Sequence, residues 1–395
     1  MRLLNTADLT FREFFDEQTP PYAILSHRWG PQEITYDQFL AGQKKGHDGN
    51  VKILEACRIA KANSHQWIWI DTICIQKTSS AELSEAINSM YEYYQRSQVC
   101  YAYLEDVPPG LSAQQTSEAL QQSEWFTRGW TLQELLAPQN VLFLDSSWNA
   151  FGTKNHLASV ISKATGIPEW YLVRGDQIQY ASIAARMSWC ARRKTTRSED
   201  MAYSLLGLFN INMPLLYGER GARAFFRLQL EIAKSSDDES IFAWTSPSNQ
   251  PCGMFAPSAL CFAGFGNIKT LPLDAEDRLP WQYTNKGLVL SLASPLDTRA
   301  TMSMGNRMFD HTKTGEDHKV VTLGCFKSDV DVDLRDGKAV KKVSKGNIIC
   351  IELQRIGPRW KRINAQQVLL AKEFERHTSH QFGQPVTQKV YYISQ

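Results

Sequence analysis

Residues 125–138, Trp-Phe-Thr-Arg-Gly-Trp-Thr-Leu-Gln-Glu-Leu-Leu-Ala-Pro, gather two tryptophans, an arginine and a glutamate in one short stretch. Its second half reads as a short helix, with Leu132, Leu135 and Leu136 on one face and Pro138 as the stop. Trp130 and Glu134 are four apart, so they lie one turn apart on the same face. An indole beside a carboxylate makes a partly dry site, and a carboxylate there can handle a proton or stabilise positive charge. The ordinary role of a helical glutamate is to be solvated or ion-paired, and Arg128 is a ready partner.

The elements that must position this stretch follow from hydrophobic patterning. Residues 22–26 are a short apolar run that breaks into His27-Arg28-Trp29-Gly30-Pro31, which predicts a buried strand followed by a polar loop. From Asn50 the period becomes helical, with Val51, Ile53, Leu54, Cys57, Ile59 and Ala60 as the apolar face. Trp67 to Ile70 is a second buried strand ending at Asp71. A helix over about 80–96 follows, with Leu83, Ile87, Met90 and Tyr94 on its inner side. Val99 to Leu104 is a third strand ending at Glu105-Asp106, and Val141 to Leu144 a fourth ending at Asp145. Nearly all-apolar strands alternating with helices imply a parallel sheet covered on both faces. In such sheets ligands sit beyond the carboxyl ends of the strands. Ser26, His27, Arg28, Asp71, Glu105 and the 125–134 stretch therefore converge on one rim. Asp71 and Asp145 are also good turn and cap residues, the commoner role for each.

Residues 151 to about 239 predict a helical segment, with helices over 156–164, 183–190, 200–209 and 222–234. Gly218-Glu-Arg-Gly221 lacks the Gly-Lys-Ser/Thr ending of a phosphate loop. The polar run Ser235-Ser-Asp-Asp-Glu239 is the best boundary. Beyond it, β-like runs at 241–244, 287–292, 319–324, 347–353, 368–370 and 390–393 suggest an antiparallel sandwich or barrel. The domains expected are thus 1–150, 151–239 and 240–395. His377 and His380 form an HxxH with no third ligand, a weak basis for a metal site.

With 395 residues and 43% apolar content the chain can bury a sizeable core. The net charge of +2 gives no global argument for nucleic acid or an anionic membrane. The run Arg192-Arg193-Lys194 reads as solvated surface. The eight cysteines have no CxxC pair, which suits buried thiols in a reducing compartment. No signal-peptide pattern and no long uncharged apolar window occur, so a cytoplasmic chain without a membrane span is expected.

The blocks Tyr22-Ala-Ile-Leu-Ser-His-Arg-Trp-Gly30, Trp67-Ile-Trp-Ile-Asp-Thr-Ile-Cys-Ile-Gln76, Ala86-Ile-Asn-Ser-Met90 and Arg128-Gly-Trp-Thr-Leu-Gln-Glu134 resemble the fungal heterokaryon-incompatibility (HET) domain. The resemblance covers about 20–150. Residues 199–244 look like the segment that follows this domain in one large HET subfamily, and the β-rich tail resembles that subfamily's tail loosely. The family is implicated in programmed cell death when unlike fungal cells fuse, and it is similar to TIR domains, which have a flavodoxin-like parallel sheet. Many TIR domains cleave NAD at the nicotinamide–ribose bond, with a catalytic glutamate in a Trp-x-x-x-Glu-Leu pattern. Trp130 to Leu135 carries that pattern. The resemblance therefore implies a catalytic role for Glu134, with Ser26, His27, Arg28 and Trp29 bordering the nucleotide.

One carboxylate suffices for that chemistry. Glycoside hydrolysis ordinarily needs an acid as well as a base or nucleophile. The nicotinamide of NAD is already cationic and leaves neutral, so only the oxocarbenium-like ribose needs help, best in a site that excludes water. Trp29, Trp125 and Trp130 can wall such a site, although core packing is the expected role of at least one of them. Arg28 or Arg128 can fork onto the diphosphate. The expected function is a cell-death effector that hydrolyses NAD without a further cofactor or metal. It would self-associate when active and respond to an upstream activating protein, since no Walker A loop or repeat sensor is present. The competing expectation is a non-catalytic module that signals by self-association. Nucleic-acid processing is disfavoured by the near-neutral charge.

Overall fold

A computed structural model of the chain describes residues 1–42, 48–248, 250–270, 280–285, 287–293, 302–304, 307–309, 317–328, 346–371 and 388–393. His377 and His380 lie outside the described residues. Two compact units are present, one of residues 1–179 with 193–221, the other of 180–192 with 222–395. They divide at other points than the expected boundaries at 150 and 239. The segment 151–239 is shared between the two units.

The first unit is a mixed α/β layer structure. Its strands are β1 (Arg2–Asn5), β2 (Phe11–Glu13), β3 (Ala23–His27), β4 (Trp67–Trp69), β5 (Val99–Tyr103), β6 (Val141–Leu144) and β7 (Ala150–Thr153). Among the described residues they form a seven-stranded sheet in the order β2-β1-β4-β3-β5-β6-β7. The four strands anticipated from their apolar runs, β4-β3-β5-β6, are mutually parallel. The sheet is nevertheless mixed, because β1, β2 and β7 pair antiparallel at its two edges. Every residue of β3 and β4 is buried, which requires cover on both faces. Numbered within themselves, the parallel strands run 2-1-3-4, the start of the flavodoxin-like order. Successive crossovers diverge between β3 and β5, so the crevice opens beyond Ser26–His27 and Leu104–Glu105.

The helices of this unit begin where the chain supplies caps. Thr35 and Gln38 form a capping box on α1 (Tyr36–Leu40). Next come α2 (Asp48–Ala62) and α3 (Asp71–Cys74). In α2 the buried face is Ile53, Ala56, Cys57, Ile59 and Ala60, whereas Val51 and Leu54 are 54% and 42% exposed. Lys52 is buried instead, for the ionic reason given below. The Ser79 hydroxyl accepts the Glu82 N–H at the start of α4 (Ser80–Arg96), and Ser112 caps α5 (Ala113–Gln122). The short helix α6 (Thr131–Leu136) is buried on every side. After α7 (Ala158–Thr165), α8 (Glu169–Val173) and α9 (Ile183–Cys190), the chain re-enters the first unit and forms α10 (Asp200–Tyr203). The expected helix over 200–209 is broken, with Gly207–Phe209 a separate 3-10 turn.

The second unit combines α9 and α11 (Gly221–Ser235) with strands β8 (Ile268–Thr270), β9 (Gln282–Thr284), β10 (Gly287–Ala293), β11 (Met302–Met304), β12 (Arg307–Phe309), β13 (His318–Ser328), β14 (Gly346–Ile356), β15 (Arg359–Ile363), β16 (Leu369–Ala371) and β17 (Gln388–Ile393). Among the described residues the pairings β13–β14, β14–β15, β15–β17, β17–β10 and β10–β13 link these strands in a ring, the last and the β15–β17 link through one residue pair each. One of these pairings, β15 with β17, is parallel. Residues 241–244 are not the expected strand. Asp238 caps a 3-10 turn over Glu239–Phe242, and Ile241 to Trp244 are completely buried. A continuous apolar run of four does not separate a strand from a buried turn.

Candidate active site

The α6 helix is held from both ends by buried cations. At its start, the Arg193 guanidinium donates to the Arg128 carbonyl at 2.9 Å and to the Thr131 hydroxyl at 3.0 Å. Beyond its end, the Lys154 ammonium donates to the Leu135 and Pro138 carbonyls. Burial lowers the Lys154 pKa to about 8. Arg192-Arg193-Lys194 is therefore not simply solvated surface. Arg193 turns inward, while Arg192 and Lys194 stay exposed. The backbone of this segment runs alongside that of the 125–134 stretch. The Gly129 N–H donates to Lys194 O at 2.8 Å, and the Lys194 N–H donates to Thr127 O at 2.7 Å. A Cβ on Gly129 would lie 2.5 Å from Thr195 Cγ2, so any side chain there would have to displace Thr195.

This framework aims Glu134 at the end of β3. The Trp125 indole N–H donates to Ser26 Oγ at 2.9 Å, and the Ser26 hydroxyl donates to Glu134 Oε2. Ser26 and Trp125 are almost wholly buried, and neither lines the cavity. They hold the carboxylate from behind. Trp125 also packs edge-on against Phe126 and Phe143, so it is the tryptophan whose role is core packing. Burial pushes Glu134 up to about 8, and Asp71 adds to this. The Ser26 hydrogen bond and the charges of Arg128 and Arg193 act in the opposite direction.

Glu134 opens into a cavity of about 790 Å³ within the first unit, in the range that holds cofactor-sized ligands. The cavity also brings together His27, Arg28, Trp29, Asp71, Arg128 and Trp130. Glu105 lines it too, so with Ser26 and Trp125 behind, the residues expected on the common rim meet at one place. Leu83, Ile87, Met90 and Tyr94 of α4 give it an apolar wall. Tyr94 is fixed by donating to the Leu25 carbonyl at 3.2 Å.

The polar groups differ in how far they are already engaged. Arg28 pairs with Glu124 and lies 4.0 Å from Glu105. The Trp29 indole N–H donates to Asp71 Oδ2 at 2.8 Å, and the Lys77 ammonium sits 3.2 Å above the Trp29 ring centre. Burial lowers the Lys77 pKa, and Asp71 at 3.8 Å offsets part of this. The Trp130 indole N–H reaches Asp200 Oδ2 at 3.4 Å, while Tyr217 OH donates to Asp200 Oδ1 at 3.0 Å. Burial raises Asp200 against these two hydrogen bonds. The His27 ring is buried, with Nε2 3.6 Å from Glu33 Oε2 and neither ring nitrogen hydrogen-bonded. Asp145 stays outside the cavity and serves its turn, accepting the Ser147 and Asn149 N–H groups at 2.8 and 3.0 Å.

Lys77, Lys194, Arg197, Asp200 and Tyr217 line the cavity but were not foreseen as site residues. The last four reach it from another part of the chain, a return that no local pattern announces. The Gly218–Gly221 loop is unsuited to a phosphate for a direct reason. Its Gly218 and Arg220 N–H groups already donate to Glu199 Oε1, each at 3.0 Å. All eight cysteines are free thiols. Among the described residues no helix is long and apolar enough to cross a membrane, and no cluster of His, Cys, Asp and Glu is arranged to hold a metal.

Comparison with known proteins bears on the part of the chain that builds this rim. Over 221 residues, 54% of its length, the chain is 43% identical to the vegetative incompatibility protein HET-E-1 of Podospora anserina. The matched part is 16% of that protein, so the chain spans a small fraction of its relative. No solved structure matches. The model of the heterokaryon incompatibility protein (HET) family matches residues 22–109. That match takes in β3, β4, β5 and the cavity residues His27 to Pro31, Asp71, Lys77 and Glu105, while Glu134 and the 193–217 segment lie beyond its end. The resemblance read from the sequence thus holds for residues 22–109, which match the heterokaryon incompatibility family, and for the stretch shared with the vegetative incompatibility protein.

Proposed function

We propose that this chain acts in fungal non-self recognition as a cell-death effector that hydrolyses NAD at the nicotinamide–ribose bond. The family match and the vegetative incompatibility relative support the biological role. The resemblance of the Trp130–Leu135 pattern to the TIR glutamate motif supports the reaction. The observation that carries the reading is Glu134 itself, a buried carboxylate oriented by Ser26 and Trp125 and facing a cavity of about 790 Å³ at the switch point of the sheet.

At neutral pH burial keeps Glu134 mostly protonated, pushing its pKa up to about 8. A cationic nicotinamide ring entering the cavity favours the ionised form, as any nearby positive charge does. The carboxylate then faces the ribose C1′ as the C1′–N bond breaks. The bonding pair leaves with nicotinamide, which becomes neutral, and the ribosyl centre takes the positive charge. Water adds to C1′ and loses a proton, giving ADP-ribose. Trp130 and the α4 face give the carboxylate apolar surroundings, which strengthen its interaction with the ribosyl cation. Self-association and an upstream activator belong to the same proposal.

The test is nicotinamide release from NAD by the purified chain, with Glu134→Gln beside it, over a wide range of protein concentration. A drop of about 10³-fold in the variant with an unchanged fold is expected. Equal release by both proteins would remove Glu134 from the chemistry. No release at any concentration, enforced clustering included, would leave the non-catalytic self-association module.

A further inference from the structure

The cavity's charged groups do not cancel evenly. Arg28 is matched by Glu124 and Glu105, and Lys77 by Asp71 and the Trp29 ring. On the side built by residues 127–130 and 193–217 the balance changes. Among the described residues, Arg128, Lys194 and Arg197 form no ion pair with a carboxylate. Asp200 is near enough to be affected by Arg197, but Tyr217 and Trp130 already occupy its two oxygens. Arg197 lies over the Tyr217 ring, 4.4 Å from its centre. A guanidinium held over a ring face keeps its N–H edge available to donate. Arg128 and Lys194 stand side by side because their backbones form a parallel bridge. Gly129, with no room for a Cβ, keeps the two segments in contact.

We propose that Arg128, Lys194 and Arg197 form an anion subsite that binds a phosphate or diphosphate group of the ligand. The segment after the family-matched residues would thus supply the specificity-determining wall of the cavity. The proposal deepens the nucleotide reading above and rests on it for the identity of the ligand, but not for its chemistry. Two forked guanidiniums and an ammonium with no carboxylate of their own select a multiply charged oxyanion over a neutral group. Such a wall separates tasks within the cavity. The phosphate is held at Arg128–Arg197, while bond breaking takes place at Glu134. Asp200 is a positioning residue here, since it ties the Trp130 indole to the same wall.

The experiment is calorimetric titration of the whole chain with inorganic pyrophosphate, using wild type, Lys194→Gln, Arg197→Gln and Glu134→Gln. Lys194 and Arg197 are exposed, so their replacement leaves the fold intact. Wild type is expected to bind, more weakly as salt rises. Each basic-residue variant should lose about tenfold or more in affinity, and Glu134→Gln should bind at least as well as wild type. Absence of pyrophosphate binding to wild type, or binding by both basic-residue variants as tight as that of wild type, would overturn the subsite. Nicotinamide release distinguishes the two proposals. Pyrophosphate binding that depends on Arg197, without any release from NAD, would end the glycohydrolase and keep the subsite. Release with an unchanged KM in Arg197→Gln would do the reverse.

Discussion

Two glutamates near the same rim of the sheet, Glu33 half-buried and Glu134 buried, have opposite environments. Glu33 follows β3 and is surrounded by donors. The Lys52 ammonium is 2.7 Å from Oε1, the Gly30 N–H is 3.0 Å from it, and His27 Nε2 lies 3.6 Å from Oε2. Burial works against its ionisation, yet His27, Gly30 and Lys52 outweigh that and hold Glu33 at about 2. Glu134 is more deeply buried, has the Ser26 hydroxyl as its hydrogen-bond donor, and rises to about 8. Deeper burial and the lack of an adjacent cation both contribute to the difference. Glu33 is a permanent charge that ties α2 to the β3 loop, since Lys52 also donates to the Arg28 carbonyl at 2.9 Å. Glu134 has been left without a matching cation at contact distance, and a group in that state responds to whatever charge enters the cavity.

The comparison breaks most visibly if the two sites are deprived of partners. Lys52→Met leaves Glu33 without its closest cation, and should lower the unfolding free energy by about 4 kcal/mol. Denaturant titration at neutral pH measures this. A change below about 1 kcal/mol would mean that His27 and Gly30 suffice and that the pair with Lys52 adds little. Glu134→Gln at the same pH should not destabilise the chain, because it removes a group that resists ionisation.

The pH dependence of stability sharpens the contrast, and the two signs are opposite. Glu134 has a folded pKa above its unfolded value, so its stabilising contribution is complete below about pH 4. It is lost as pH rises toward 8. Wild type should therefore lose roughly 3 kcal/mol relative to Glu134→Gln between pH 5 and pH 8. Glu33 has a depressed folded pKa, so its contribution is complete above the ordinary carboxylate range and is lost as pH falls toward 2. Unfolding midpoints across pH for wild type and each Gln variant test both statements. Parallel curves for wild type and Glu134→Gln would show that Glu134 titrates normally.

The framework behind Glu134 gives a smaller effect. In Gly129→Ala the new methyl would sit 2.5 Å from Thr195 Cγ2 and 3.3 Å from Ser204 Oγ. Forcing the segments apart should cost about 2 kcal/mol and loosen the α6 start. Thermal unfolding reads the first part, and weaker pyrophosphate binding the second. An unchanged midpoint would show that Thr195 moves aside freely.

What could be read from the sequence followed the strength of the local signal. The strands Ala23–His27, Trp67–Trp69, Val99–Tyr103 and Val141–Leu144 are nearly unbroken apolar runs, because buried strands must be so on both faces. The antiparallel edges were not legible. Phe11-Arg12-Glu13 and Ala150-Phe151-Gly152-Thr153 are short and half solvated, and their pairing partners, not their own patterns, make them strands. In the site, Glu134 and the residues at the ends of the parallel strands could be placed together because strand direction and helix phase determine a common rim. Arg193 was misread and Lys52 passed over for one reason. A charged residue within a basic run or on a helix gives no local sign that a carbonyl or carboxylate waits for it in the core. Lys194, Arg197, Asp200 and Tyr217 reach the cavity by a return of the chain, which only tertiary packing specifies.

The smallest expected effect concerns the fine tuning of Glu134. Burial sets most of its elevation, and the Asp71 carboxylate adds to it by repulsion. Asp71→Asn removes that charge while keeping an acceptor oxygen for the Trp29 indole, so the geometry at 2.8 Å can persist. The Glu134 pKa should then fall. If the ionised carboxylate is the acting form, kcat/KM for nicotinamide release rises with pH up to about 8 in wild type. In Asp71→Asn the same rise should come at lower pH, raising kcat/KM at pH 7 by about threefold. Repeating the profile at high salt separates this from a general field, because an interaction inside a dry cavity is screened less than one at the surface. A midpoint that stays in place would mean that burial alone holds Glu134 apart from Glu33, and that neighbouring carboxylates play no part in the difference.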